Sequence, residues 1–228
     1  MPTQEKIFKR RATRPREAFS PAPVPRSRRI KTLAAAAARC RACPLWRNAT
    51  QTVFGEGPRR AGVLLVGEQP GDSEDRAGQP FIGPAGRLLD RALAEAGVDR
   101  AEVYVTNAVK HFKWEPRGPR RLHAKPNSRE IAACRPWLRA EIEALRPELV
   151  VCLGATASRS LFERDVGVLK TRGKVQMTPD GIRALITVHP ASLLRVPHGH
   201  DADQAHAAFV RDLRRIKQYL TPRARTQK

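Results

Sequence analysis

The sequence predicts an α/β protein: a three-layer α/β/α sandwich around a central, mainly parallel four-stranded sheet. Two observations carry that expectation. Short apolar runs bounded by glycine or proline alternate with longer stretches of helical period. Hydrophobic residues make up 41 % of the 228, enough for one ordinary domain with a real core. The first strand is Gly62-Val63-Leu64-Leu65-Val66, ending at Gly67. A helix follows over Gly86–Ala96, with Leu88, Leu89, Ala92 and Leu93 on one face and Gly97 to stop it. Val103–Ala108 reads as the second strand. The next helix starts at Asn127, with Glu130 three residues on as a capping box requires, and runs to Pro147. Leu149–Leu153 is the third strand, Ala155–Phe162 a short helix, and Arg183–Val188 the fourth strand. An amphipathic helix over roughly Ala205–Tyr219 closes the domain.

The ends differ from this middle. Met1–Lys31 carries ten Lys or Arg against Glu5 and Glu17, with prolines at positions 2, 15, 21, 23 and 25. Such a segment cannot bury enough apolar surface to offset its ordering entropy. The expected division is a disordered basic arm at 1–32, a domain at 33–220 and a basic tail at 221–228. The formal net charge is +21, which points to a polyanionic partner, although a generally Arg-rich composition has the same signature. No apolar run approaches the ~20 residues of a spanning helix, and no signal-peptide core follows Met1. A cytoplasmic protein free of membrane is expected.

In open α/β sheets ligands bind outside the carboxyl ends of the strands. Glu68–Asp72 follows strand one, Asn107 closes strand two and His189 follows strand four, so these polar stretches should meet in one cleft. An Asn amide offers an acceptor and two donors, enough to pair with a pyrimidine edge, though a strand-capping Asn looks the same in sequence. Phe81, in a Gly- and Pro-rich run, suits either a stacking face for a flipped base or a core pin for its loop. A neutral His189 could donate to a carbonyl oxygen as charge develops on a departing base. Leu193, Leu194 and Arg195 read as a wedge and clamp, or as a helix returning to the core.

Glu68, Gln69, Asp72 and Asp75 form a largely acidic cluster in a basic protein. A carboxylate there could stabilise an oxocarbenium-like sugar; a solvated loop and a divalent-metal nuclease site remain open. His123, beside Arg120 and Arg121, is either a phosphate contact or a nucleophile. Of the four cysteines, Cys40 and Cys43 form a Cys-x-x-Cys pair while Cys134 and Cys152 stand alone. Four thiolates suit zinc or an iron–sulfur cluster, and burial as free thiols also fits the last two.

These blocks together resemble the iron–sulfur branch of the uracil-DNA glycosylase superfamily. The similarity spans Leu33–Leu220 and rests on Gly67-Glu68-Gln69-Pro70-Gly71, Tyr104-Val105-Thr106-Asn107, His189-Pro190-Ala191-Ser192-Leu193-Leu194-Arg195 and the cysteines. Lys110-His111-Phe112-Lys113-Trp114 and Arg120-Arg121-Leu122-His123 are similar to the UdgX-like proteins, which attach covalently to uracil-containing DNA. Pro119 and Leu122 depart from the Lys-Arg-Arg-Ile-His form of that loop, and Pro119 removes one charge.

The resemblance implies catalytic Glu68, His189 and His123, the last trapping the sugar C1′ in a single turnover. It implies uracil binding by Gly67, Gln69, Asp72, Phe81 and Asn107. DNA contacts would come from Lys110, Arg120, Arg121, Ser192, Leu193 and Arg195. It implies a 4Fe–4S cluster on Cys40, Cys43, Cys134 and Cys152, with zinc as the alternative. The expected partner is uracil-containing, preferably single-stranded DNA, bound by a monomer. An ordinary multiple-turnover glycosylase and a non-catalytic iron–sulfur DNA-binding module are the competing readings.

Overall fold

A computed structural model describes residues 19–220. Its centre is a five-stranded sheet of β1 (Val63–Gly67), β2 (Val103–Asn107), β5 (Leu149–Leu153), β6 (Val175–Met177) and β7 (Arg183–Thr187), ordered β2-β1-β5-β7-β6. The first four of these in space run parallel and are the four strands the sequence predicts. The count of four is corrected to five, because β6 pairs antiparallel with β7 at the edge. Three residues, two half-buried and one exposed, leave no periodic signal to read. A separate hairpin of β3 (Trp114–Arg117) and β4 (Arg120–His123) was also not foreseen; its mostly exposed residues alternate too weakly to announce strands.

The helices are α1 (Ile30–Ala37), α2 (Asp72–Ala77), α3 (Pro84–Glu95), α4 (Ser128–Leu145), α5 (Ala155–Phe162), α6 (Val168–Thr171), α7 (Pro190–Leu193) and α8 (His200–Arg214). The capping box foreseen for α4 is present. Glu130 N–H donates to Asn127 Oδ1 at 2.9 Å and Asn127 N–H to Glu130 Oε2 at 2.7 Å. Both faces of the sheet are covered. One apolar layer joins Leu65, Val105 and Val151 to Leu89, Leu93, Phe209 and Leu213. The other joins Leu64, Val66 and Val150 to Leu138, Ile142 and Leu161.

The expected arm needs revision at its inner end. Ser20 N–H donates to Ala42 O and Ala22 N–H to Ala133 O, and Val24 packs against the apolar cluster that contains Leu33 and Trp137. Apolar Phe19, Ala22 and Val24 supply enough contact to order a segment that composition alone reads as disordered. Residues 1–18 and the 221–228 tail lie outside the described residues. No described helix is long and apolar enough to cross a membrane.

Candidate active site and cluster cavity

The order β2-β1-β5-β7 reverses direction between β1 and β5, and a ligand cleft belongs at that switch point. A cleft of about 890 Å³ opens there, lined by Glu68 after β1, Asn107 at the end of β2, Gly154 after β5 and His189 after β7. The convergence expected from the strand ends is therefore present.

Asn107 is buried and lines the cleft. Gly67 is paired beside it in the sheet. A Cβ on Gly67 would press into Asn107 Oδ1 and Phe81 Cζ. Glycine here makes room for the amide and the ring rather than touching a ligand by a side chain of its own. Phe81 sits at φ +60°, a left-handed conformation costing roughly 1–3 kcal/mol for a non-glycine residue. Its loop is fixed from outside: Gly83 N–H donates to Glu74 Oε1 at 2.7 Å, and Gly86 lets α3 approach the Phe81 carbonyl where any Cβ would collide.

The Phe81 and His189 rings lie 6.3 Å apart and nearly parallel, at 26°. Ala191 N–H donates to His189 Nδ1 at 3.1 Å, so Nδ1 is the acceptor and Nε2 carries the proton. Burial lowers the His189 pKa to about 4, which leaves a neutral Nε2–H donor at neutral pH.

Glu68 lies between two elements. Thr156 Oγ1, at the start of α5, donates to Glu68 Oε2, and His123 Nε2 lies 3.3 Å from Oε1. Burial pushes the Glu68 carboxyl up, but the hydrogen bonds from His123 and Thr156 outweigh it and hold the pKa below the ordinary value. Thr156 was missed in the sequence because its partner is 88 residues away.

The β3–β4 hairpin delivers His123, and three anchors hold it. Gln69 Nε2 donates to the carbonyls of Lys113 and Ala124, and Lys113 N–H donates to Gln69 Oε1, each at 3.1 Å. Arg121 pairs with Asp75 at 2.7 Å and with Asp72, and its guanidinium lies over the Phe112 and Trp114 rings. Trp114 Nε1–H donates to Asn48 O at 2.8 Å.

Several expected roles change accordingly. The Gln69 side chain, on the cleft lining, closes the base of the hairpin. The Asp72 carboxylate, although on the cleft wall, is engaged by Arg121 and Arg76. Arg121 is held as a latch by Asp72 and Asp75, whereas Arg120 is exposed beside it. Lys110 is 1 % exposed, and its ammonium binds Glu141, Thr106 Oγ1 and the Asn107 carbonyl, so it does not face DNA. Leu193 packs toward the core, leaving Leu194 and Arg195 exposed at the rim. Ser192 Oγ donates to the His189 carbonyl at 2.7 Å and steadies that turn.

Cys40, Cys43 and Cys134 line one small cavity with His111. Cys152 does not join them. It lies on β5 inside the second apolar layer, near Ser158, with a pKa pushed up to about 12 by burial. The sequence missed His111 because histidine inside a basic, aromatic run has no metal signature. Thr52 Oγ1 donates to the Ala37 carbonyl at 3.1 Å and lies 2.8 Å from His111 Nε2. A hydroxyl has one proton, so Nε2–H must donate to it and Nδ1 keeps its lone pair. Burial lowers the His111 pKa to about 4, so the ring is neutral. Burial also pushes Cys134 up to about 12, although Lys110 N–H donates to its sulfur at 3.3 Å. Among the described residues, no group of three or more His, Cys, Asp or Glu is arranged to hold a single metal ion.

Residues 54–214 match the family described as the Uracil DNA glycosylase superfamily. The chain belongs to that superfamily. It is 36 % identical over 183 residues to a Type-4 uracil-DNA glycosylase of Thermotoga maritima, covering 80 % of this chain and 90 % of that protein. A Type-4 uracil-DNA glycosylase of Pyrobaculum aerophilum is 39 % identical over 165 residues, with 69 % and 81 % covered. A Type-5 uracil-DNA glycosylase of the same organism is 31 % identical over 155 residues, with 60 % and 64 % covered. Superfamily membership agrees with the α/β/α architecture and with the cleft at the strand ends.

Proposed function

We propose that this superfamily member excises uracil from DNA and then remains bound to the sugar through His123. The observation that carries the reading is His123 Nε2 at 3.3 Å from Glu68 Oε1, inside the cleft that also holds Asn107 and His189. A flipped uracil lies against Phe81 with its N3–H and O4 met by the Asn107 amide. Cytosine presents the opposite donor pattern and leaves buried groups unpaired, costing about 1–3 kcal/mol each. As the C1′–N1 bond breaks, uracil leaves with the electron pair and His189 Nε2–H donates to its developing oxyanion. The ionised Glu68 stabilises the positive sugar. A lone pair of the His123 imidazole then forms an N–C1′ bond, and the ring's surplus proton goes to the uracil anion or to solvent. The products are uracil and a histidine–DNA adduct, so each molecule acts once.

The donor set of the small cavity fits a 4Fe–4S cluster held by Cys40, Cys43, Cys134 and His111, in place of the four-cysteine set. A cluster spreads its ligands wider than one zinc ion with ~2.3 Å bonds, and the buried thiols ionise on binding metal. When bound, the group supplies a structural brace beneath the strand-two loop. The reading further takes the protein as a monomer with a preference for single-stranded DNA, whose tails add non-specific affinity.

A denaturing gel with a single-stranded uracil oligonucleotide tests the reading. A heat- and detergent-resistant shifted band is expected, lost in His123→Ala. Alkali-labile DNA without a shift would establish ordinary turnover instead, and unchanged DNA would reduce the protein to a binding module.

A further inference from the structure

Five large apolar side chains are exposed among the described residues: Ile82, Leu122, Leu169, Met177 and Leu194. Scattered apolar residues on a surface need no explanation, but two of these share one opening. Leu169 and Leu194 line the cleft itself, while Ile82 directly follows the lining residue Phe81 and Leu122 directly precedes the lining residue His123. Leu169 is the most exposed at 77 %, against 48 % for Leu194. It stands on α6, whose position is fixed: Val168 packs into the second apolar layer, and Arg172 Nε donates to Asp212 Oδ2 at 2.9 Å. A rigid knuckle thus presents one leucine at the cleft mouth. Exposed Lys170 stands next to it, and exposed Lys125 and Arg195 flank the same opening.

Apolar faces interleaved with cations match a single strand of nucleic acid, in which each base has a flat apolar face and each linkage a negative charge. We propose that Leu169, with Leu194, forms an apolar rim that takes the unstacked faces of the bases flanking the extruded nucleotide, with Lys170 and Arg195 on the adjoining phosphates. The inference rests on the uracil-excising reading of the cleft and adds how the strand is gripped on either side. Leu169 carries no local signal, because α6 is too short for a helical period to show in its sequence.

The test uses the full chain and single-stranded oligonucleotides with one uracil. Its neighbours are either intact or replaced, one side at a time and then together, by abasic tetrahydrofuran residues. Single-turnover uracil release is followed against DNA concentration, and binding by fluorescence anisotropy. Leu169→Ala should raise the half-saturating concentration at least about fivefold, the lower end of one base-stacking contact, and leave the maximal rate unchanged. Leu169→Met should restore tight binding, and on one of the abasic-flanked strands the Ala variant and the parent protein should coincide. An unchanged half-saturating concentration would overturn the rim. So would a penalty that persists with both flanks removed, which would make Leu169 a wall of the cleft or a contact for another partner. If the parent protein releases no uracil while the flank-dependent binding loss remains, the enzymatic reading falls and the rim stands.

Discussion

Glu68 is ionised and His189 neutral for different reasons, and each makes a residue-scale prediction. His189 has its pKa lowered by burial from 6.5 to about 4. Between those values the unfolded state binds more protons than the folded one, so stability is full above about 6.5 and is lost as pH falls toward 4. Thermal melts between pH 7 and 4 should show that slope, and His189→Asn should make it shallower, leaving the share that His111 contributes over the same window. Glu68→Gln keeps the shape and removes the charge; uracil release should slow by about a hundredfold or more, read by single-turnover kinetics. Gly67→Ala is the steric counterpart. Its methyl presses on both Asn107 and Phe81, so uracil binding should weaken at least tenfold while the strand stays paired, which far-ultraviolet dichroism and titration together would show. The glycine was legible as part of a motif. Its reason was not, since Phe81 and Asn107 reach it from segments 14 and 40 positions further along the chain.

At the scale of elements the hairpin matters most. Arg120-Arg121-Leu122-His123 looks in sequence like a cationic loop seeking phosphate. In the fold one arginine is spent on Asp72 and Asp75 and only its neighbour remains free. Asp72, which the resemblance placed at uracil, and Asp75, read only as part of the acidic cluster, are the receptor of that latch. Arg121→Met should therefore free the hairpin: amide exchange over 114–123 should accelerate, and adduct formation should slow more than uracil release does. Equal slowing of both would mean the latch shapes the whole cleft. Strong periodicity made β1, β2, β5, β7 and α4 readable, because full burial of a strand or one buried face of a helix imposes a pattern. Short, half-exposed β3, β4, β6 and α6 impose none.

For the whole molecule, charge and the buried cavity dominate. With a formal charge of +21, binding of single-stranded DNA should weaken steeply with salt, and Arg195→Ala should lower the log–log slope by about 0.7 for one lost phosphate contact. Brown colour and broad visible absorption are expected of the purified protein. His111→Ala should lose or destabilise that absorption while Cys152→Ser retains it, measured on anaerobically purified protein; the opposite ranking would restore the four-cysteine set.

Local patterns settled the layer architecture, the basic character and the loops that bear the site, since apolar period, charge and turn residues act over a few neighbours. Tertiary structure alone decided which cysteine stands apart, which arginine is a latch, that Thr156 orients Glu68, and that a leucine on α6 reaches the cleft. Those facts depend on distances between segments tens of residues apart, and no nearest-neighbour signal encodes them.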